Sequence, residues 1–207
     1  MLRVALTGNV ASGKSTVARL WREAGVPVVS ADDLSREVVE PGTPGLDEVR
    51  RVFGDGVVAS DGTLDRAALR DRVFRDADAR ERLEAILHPR IERRRRAWME
   101  DREGEGATLA VAEIPLLFEV GLQEAFDVTV LVDAPEDVRL ERLVAGRGLD
   151  RDEARRVMEA QMAPERKRRL ADIVVDNGGT VDELRARAAE VLEGLRDRAA
   201  SATTTEE

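Results

Sequence analysis

The clearest chemistry in the chain lies in Gly8-Asn9-Val10-Ala11-Ser12-Gly13-Lys14-Ser15. The segment follows G-x-x-x-x-G-K-[ST] in full and sits between an apolar strand-like run and a helical pattern, the context in which this motif cradles phosphate. Glycines let the backbone curl so that successive N–H groups and the start of the helix face an anion. Lys14 adds a point charge toward the β and γ phosphates, and Ser15 is placed to ligand Mg²⁺. The motif identifies a bound nucleotide, not a reaction.

Reaction chemistry needs further groups. The second apolar run ends Val28-Val29-Ser30-Ala31-Asp32-Asp33, which puts two carboxylates at a strand end, where ligands of open α/β sheets collect. One can take a proton from an acceptor hydroxyl, and the other can cap the following helix. Glu113 ends a third apolar run, the usual place for a carboxylate that orients Mg²⁺ or its water. Arg139, Arg142, Arg147, Arg151, Arg155 and Arg156 follow the fourth run. Most read as a solvated face, but Arg147 lies between Gly146 and Gly148, where a lid can hinge over a γ-phosphate. Consecutive Arg93 to Arg96 would spread around a helix rather than form a stripe, so they read as mostly solvated. His88 is the only histidine, precedes Pro89 between helical segments, and cannot build a metal cluster alone.

Positioning these groups requires a parallel sheet. Four short apolar runs, Arg3 to Leu6, Val26 to Val29, Leu109 to Ile114 and Val128 to Val132, with a weaker fifth at Ile173 to Val175, suit strands buried on both faces. Helical patterns at Ser12 to Ala24, Pro135 to Val144 and Val181 to Leu195 alternate with them, which predicts an α/β fold with a doubly wound, mostly parallel five-stranded sheet. Residues 34–102 read as a helical insertion, 139–170 as the lid region, and 200–207 as a disordered tail.

Composition limits the partners. The 207 residues carry a formal net charge of −9, so the whole-chain field repels nucleic acid and anionic membrane, and an anionic ligand needs a local site. The longest run free of charged residues, Val4 to Gly13, is far short of the roughly 20 apolar residues of a membrane span. No basic, apolar, small-residue leader opens the chain, which points to the cytoplasm, and the absence of cysteine excludes disulfides and thiolate metal sites. Of the basic residues only Lys14 and Lys167 are lysine.

In combination these landmarks resemble the dephospho-coenzyme A kinase family. The resemblance is carried by Leu6-Thr7-Gly8 leading into Ser12-Gly13-Lys14-Ser15-Thr16, then Ala31-Asp32, Val38-Val39-Glu40-Pro41-Gly42 and Leu87-His88-Pro89. Pro115-Leu116-Leu117-Phe118-Glu119, Gln161-Met162 and Ala171-Asp172 with Asn177 complete it. It covers nearly the whole chain and implies an adenylate-kinase-like P-loop fold with a lid. It also implies transfer of the ATP γ-phosphoryl group to the ribose 3′-hydroxyl of dephospho-coenzyme A, with Mg²⁺.

On that resemblance Asp32 is the catalytic base; the phosphate motif adds Lys14 and the glycine-flanked hinge adds Arg147 as catalytic residues. ATP would be held by Gly8, Ala11, Ser12, Gly13, Lys14, Ser15, Thr16, Arg142 and Asn177. The acceptor would meet Asp32, His88, Leu116 and Glu119, and the metal Ser15 and Glu113. Two departures stand out: Ser30 where the family often has Asp, and Gly8-Asn9-Val10-Ala11 where it often has Gly-Gly-Ile-Gly. Asn9 is expected to bear the backbone angle of the missing glycine.

The nearest rival is a kinase of the same fold acting on a nucleoside monophosphate or a small alcohol; the Glu-Pro-Gly and His-Pro landmarks favour dephospho-coenzyme A. A GTP-binding switch would need N-K-x-D to read guanine. Neither lysine stands in that context.

Overall fold

The structure is a computed structural model that describes residues 1–204. Two compact units emerge, Met1–Val29 together with 101–204, and Ser30–Glu100.

The first unit is built on a five-stranded sheet of β1 (Leu2–Gly8), β2 (Val28–Ser30), β3 (Leu109–Glu113), β4 (Val128–Asp133) and β5 (Ile173–Asp176), in the spatial order β2-β3-β1-β4-β5. The β1–β3, β1–β4 and β4–β5 ladders are parallel. Every residue of β3 and β4 is buried, which explains why their sequences run apolar without alternating: helices cover both faces. Placing β1 between β3 and β4 creates the switch point at which open α/β sheets bind ligands. The register pairs Leu6 with Glu113, so the Glu113 carboxylate arrives beside the end of β1.

Helix α1 (Lys14–Glu23) buries Val17, Ala18 and Trp21 against this sheet. The Trp21 indole N–H donates to the Ala188 carbonyl at 2.9 Å, joining α1 to α9 (Val181–Thr204). From α9, Leu184, Ala188, Leu192 and Leu195 enter the same core at helical spacing. The remaining helices of this unit are α6 (Glu136–Arg147), α7 (Arg151–Glu159) and α8 (Pro164–Leu170). The expected disordered tail 200–207 is corrected as far as Thr204: α9 continues through it, with Ala199 buried and the Ser201 hydroxyl donating to the Asp197 carbonyl. Residues 205–207 lie outside the described residues. No described helix is long and apolar enough to cross a membrane.

The second unit holds α2 (Ala31–Glu37), α3 (Pro44–Phe53) and α4 (Arg66–Arg75), with most of α5 (Ala77–Gly104). Its own core gathers Val39, Leu46, Val49, Phe53, Val57, Leu69, Ala79 and Ile86. Asp65 and Thr43 cap α4 and α3 with their side chains. Two local readings are corrected here. Pro89 does not separate two helices but lies inside the 28-residue α5, where Arg90 Nη1 donates to the Ile86 carbonyl at 2.7 Å. Neither Asp32 nor Asp33 caps α2; the Ser30 hydroxyl does, accepting the Asp32 N–H at 3.1 Å.

The first turn of α3 depends on its second residue, Gly45. A Cβ on Gly45 would collide with the Val38 carbonyl oxygen, a backbone atom that cannot rotate away. Gly45→Ala is therefore expected to lower the unfolding free energy by about 1–3 kcal/mol. Gly194, exposed inside α9 with open space at its Cβ position, gives the opposite sign, and Gly194→Ala is expected to add about 0.5–1 kcal/mol. Denaturant melts of the two variants check both signs.

Candidate active site

The loop between β1 and α1 is shaped by two left-handed residues. Gly13 has φ 95° and Ala11 has φ 60°, the latter being the one non-glycine in the left-handed region among the described residues. The expectation that Asn9 bears the angle of the missing glycine is thus corrected: the strain falls on Ala11, where a methyl group costs about 1–2 kcal/mol. No side chain caps α1, so its first N–H groups face outward, as an anion site requires. The Ser12 hydroxyl and Asn9 Oδ1 are buried and without a partner, which gives the loop further uncommitted polar atoms.

Lys14 and Ser15 converge on one carboxylate. The Lys14 ammonium is hydrogen-bonded to Glu113 Oε1, and the Ser15 hydroxyl donates to the same oxygen at 2.9 Å. Side-chain exposure is 12% for Lys14 and 7% for Glu113, so the pair is largely shielded from water. Ser15 and Glu113 supply hard oxygen donors at one point, which suits Mg²⁺ completed by substrate phosphates rather than a cation held by protein alone. No cluster of three or more acidic, histidine or cysteine side chains able to hold a metal occurs among the described residues.

Distant elements fix the rest of the loop. Asn177, just after β5, donates from Nδ2 to the Ser12 carbonyl at 2.7 Å, while its own N–H bonds the Asp133 carbonyl at 2.6 Å. Arg142 of α6 donates to the Ala11 carbonyl at 3.2 Å and to both the carbonyl and Oδ1 of Asn177 at 3.3 Å. These two expected ATP ligands therefore buttress the loop. Thr16 begins the helical ladder, its N–H donating to the Gly13 carbonyl.

Other expected residues lie differently. Arg147 is the exposed last residue of α6; Gly146 is helical, and the left-handed turn falls only at Gly148, with φ 69°. Leu116 is 44% exposed beside buried Leu117 and Phe118. Glu119, expected at the acceptor, has Oε1 committed to Lys167 at 2.7 Å and to the Met162 N–H at 3.2 Å. In the second unit His88 is exposed on α5, and Asp32 is exposed in the first turn of α2 with its carboxylate unbonded, whereas Asp33 pairs with Arg36 at 3.2 Å.

Three features escaped sequence reading. Lys167 is completely buried against Glu119; its one signal was being one of two lysines. Arg139, grouped with solvated arginines, is 3% exposed and donates to the Ala134 carbonyl. Arg168 bridges Asp133 and Asp176 at 2.9 and 2.7 Å, and those carboxylates, Asp176 foremost, hold its guanidinium above even the ordinary arginine range. Beside it is a cavity of about 560 Å³ whose walls include Asp133, Pro135, Arg139, Gln161, Arg168 and Asp176.

A family model described as dephospho-CoA kinase matches residues 2–183. The dephospho-CoA kinase of Thermobifida fusca is 46% identical over 199 residues, 96% of this chain and 98% of that protein. That of Anaeromyxobacter dehalogenans is 47% identical over 193 residues, 93% and 92% of the two chains. Among solved structures, a Thermus thermophilus protein is 40% identical with a TM-score of 0.76, covering 93% of this chain and 97% of its own. A dephospho-CoA kinase from Campylobacter jejuni, 24% identical with a TM-score of 0.73 over 92% and 95% of the chains, supports the fold.

Gly13 sits where the site's geometry is least forgiving. Besides its left-handed φ, a Cβ there would strike Nδ2 of Asn177. Gly13→Ala is expected to displace Asn177, open the loop and abolish the thermal stabilisation that saturating ATP gives the parent protein. Differential scanning fluorimetry with and without nucleotide checks this.

Proposed function

The chain belongs to the dephospho-CoA kinase family, and from that membership we propose how its residues share the work. The protein phosphorylates dephospho-CoA in the synthesis of coenzyme A, with ATP as phosphoryl donor. In our reading the acceptor atom is the ribose 3′-hydroxyl. Asp32 takes its proton, the freed oxygen attacks the γ-phosphorus, and the bond from that phosphorus to the β,γ-bridging oxygen breaks to release ADP.

The convergence of Lys14 and Ser15 on Glu113 at the mouth of the loop carries this reading, because it assembles a cation, a hydroxyl and a carboxylate where phosphates would lie. Lys14 leaves Glu113 to follow the transferring phosphoryl, whose charge it stabilises. Ser15 and Glu113 would hold Mg²⁺, which would supply neutralisation of phosphate charge. Arg147 is read as closing over the γ-phosphate, from an exposed position beside the Gly148 turn. Support for Asp32 over Asp33 is electrostatic: Asp32 has no side-chain partner, whereas Asp33 is already engaged by Arg36. Ser30 replaces the aspartate frequent in relatives and caps α2 in its own right.

Acceptor choice is assigned to the Ser30–Glu100 unit. Its cavity of about 730 Å³, walled in part by Val38, Pro44, Arg90, Arg93 and Arg94, combines apolar surface with guanidinium groups. Arg94 is paired with Glu37 and Arg90 with Glu48, which leaves Arg93 to meet an acceptor's phosphate beside apolar wall that suits a long uncharged arm. The reading includes a cytoplasmic setting, where ATP is at hand.

Coupled ADP release with dephospho-CoA, compared with AMP, adenosine and shikimate, tests the function; preference for any of the other three would overturn it. Lys14→Ala is expected to lower turnover by 10²-fold or more, roughly the size of such electrostatic effects. Asp32→Asn should lower kcat by about 10²–10⁴-fold with ATP binding retained, as for loss of a general base. Asp33→Asn should change kcat little, because it breaks only an exposed i,i+3 pair. Dead Asp33→Asn beside active Asp32→Asn would shift the base by one residue. Hydrogen exchange with dephospho-CoA should protect segments of residues 30–100.

A further inference from the structure

The phosphate loop is gripped by the segment that follows α6 through contacts that the mechanism above leaves unused. The Val10 N–H donates to Gln161 Oε1 at 2.8 Å. Gln161 stands between α7 and α8, and the next residue, Met162, has its own N–H bonded to Glu119 Oε1 at 3.2 Å. That same oxygen lies 2.7 Å from Lys167 Nζ on α8, and Lys167 is 0% exposed. A second grip is apolar. Val10 and Ala11 pack against Leu140, Leu143 and Ala154, with Leu149 and Met158 alongside.

These contacts form a sequence of dependence. A buried ammonium stripped of its counter-charge is strongly destabilising, so Lys167 holds Glu119 in one place. Glu119 then fixes the backbone at Met162, which leaves the Gln161 side chain little freedom. The Gln161 carboxamide in turn sets the peptide plane ahead of Val10, at the start of the curl that leads through left-handed Ala11 to Gly13. Misplacement of a reacting group by about 1 Å can cost 10²-fold in rate, so a peptide tilt here would be felt at the phosphates.

We propose that Gln161 is a positioning residue for phosphoryl transfer, anchored by the Glu119–Lys167 ion pair, and that it couples the placement of the α7–α8 segment to the loop's grip on ATP phosphates. This rests on the reading of Gly8 to Ser15 as the ATP site. Because coupling between two sites is reciprocal, ATP in the loop should also rigidify α7 and α8.

The test uses Gln161→Met, close in volume but without an acceptor, and Gln161→Glu, which keeps one. Gln161→Met should lower kcat/KM for ATP by about 10- to 10²-fold, leave KM for dephospho-CoA within about threefold, and speed Val10 amide exchange measured by NMR. Gln161→Glu should retain Val10 protection, whatever its added charge does to turnover beside the ATP phosphates. The double variant Glu119→Met, Lys167→Met removes both charges together with the acceptor of the Met162 N–H, so no buried ion is left unpaired. It should fold and reproduce the Gln161→Met kinetics. Parent-like kcat/KM and Val10 protection in Gln161→Met would overturn the proposal, as would loss of Val10 protection in Gln161→Glu, which keeps the acceptor. Lys14→Ala separates the two readings: if it is inactive while Gln161→Met is normal, the coupling alone fails; if it is fully active, the ATP-site reading fails.

Discussion

Everything else in the first unit answers to one constraint: a backbone loop whose N–H groups must face outward toward phosphate cannot satisfy its own polar groups. A helix or strand would pair these groups internally, but the curl from Gly8 to Ser15 exposes several of them in a partly buried place, where each unpaired group costs about 1–3 kcal/mol. The partners therefore come from elsewhere. Asn177 serves the Ser12 carbonyl, Arg142 the Ala11 carbonyl and Gln161 the Val10 N–H. They stand 131 to 165 residues away along the chain, and the parallel sheet is what brings them near. With β4 beside β1 and β5 beside β4, the chain leaving the carboxyl end of β5 passes over the loop.

This division explains what the sequence could and could not disclose. The strands of the sheet, the phosphate loop and the α/β class were legible because each is written in a short run: continuous apolar residues for strands buried on both faces, and fixed glycine spacing for the loop. Details set by long-range partners were not. Which of Asn9 and Ala11 takes the left-handed angle depends on how Arg142 and the apolar residues of α6 and α7 hold the loop. Arg139 looks like any surface arginine until the turn at Ala134 presents its carbonyl. Pro89 reads as a helix break because its ring removes one ladder bond, yet Ile86 and Met99 are buried on either side of it, and that packing carries α5 through.

Ser30 shows a local reading corrected by local physics. Two aspartates at a strand end looked like rivals for one cap, but the residue before the helix is Ser30, itself a strong N-cap former. With the cap provided there, Asp32 stays free and Asp33 turns to Arg36. The departure from the family's frequent aspartate thus preserves the start of α2 while removing one negative charge from that strand end.

That removal belongs to a wider electrostatic pattern. A chain of net charge −9 that binds polyanionic substrates must keep its own carboxylates from repelling them. The carboxyl ends of β3, β4 and β5 carry Glu113, Asp133 and Asp176, all acidic and all on the side of the sheet where phosphates would sit. Each has a cation: Lys14 for Glu113, and Arg168 shared by Asp133 and Asp176. The two arrangements differ in their partners. Arg168 is held by two carboxylates at once. Lys14 has a single carboxylate partner, so an anion that drew the largely shielded ammonium away would have to supply the counter-charge in its place. The Lys14–Glu113 pair thus keeps the loop from holding an uncompensated, largely shielded cation.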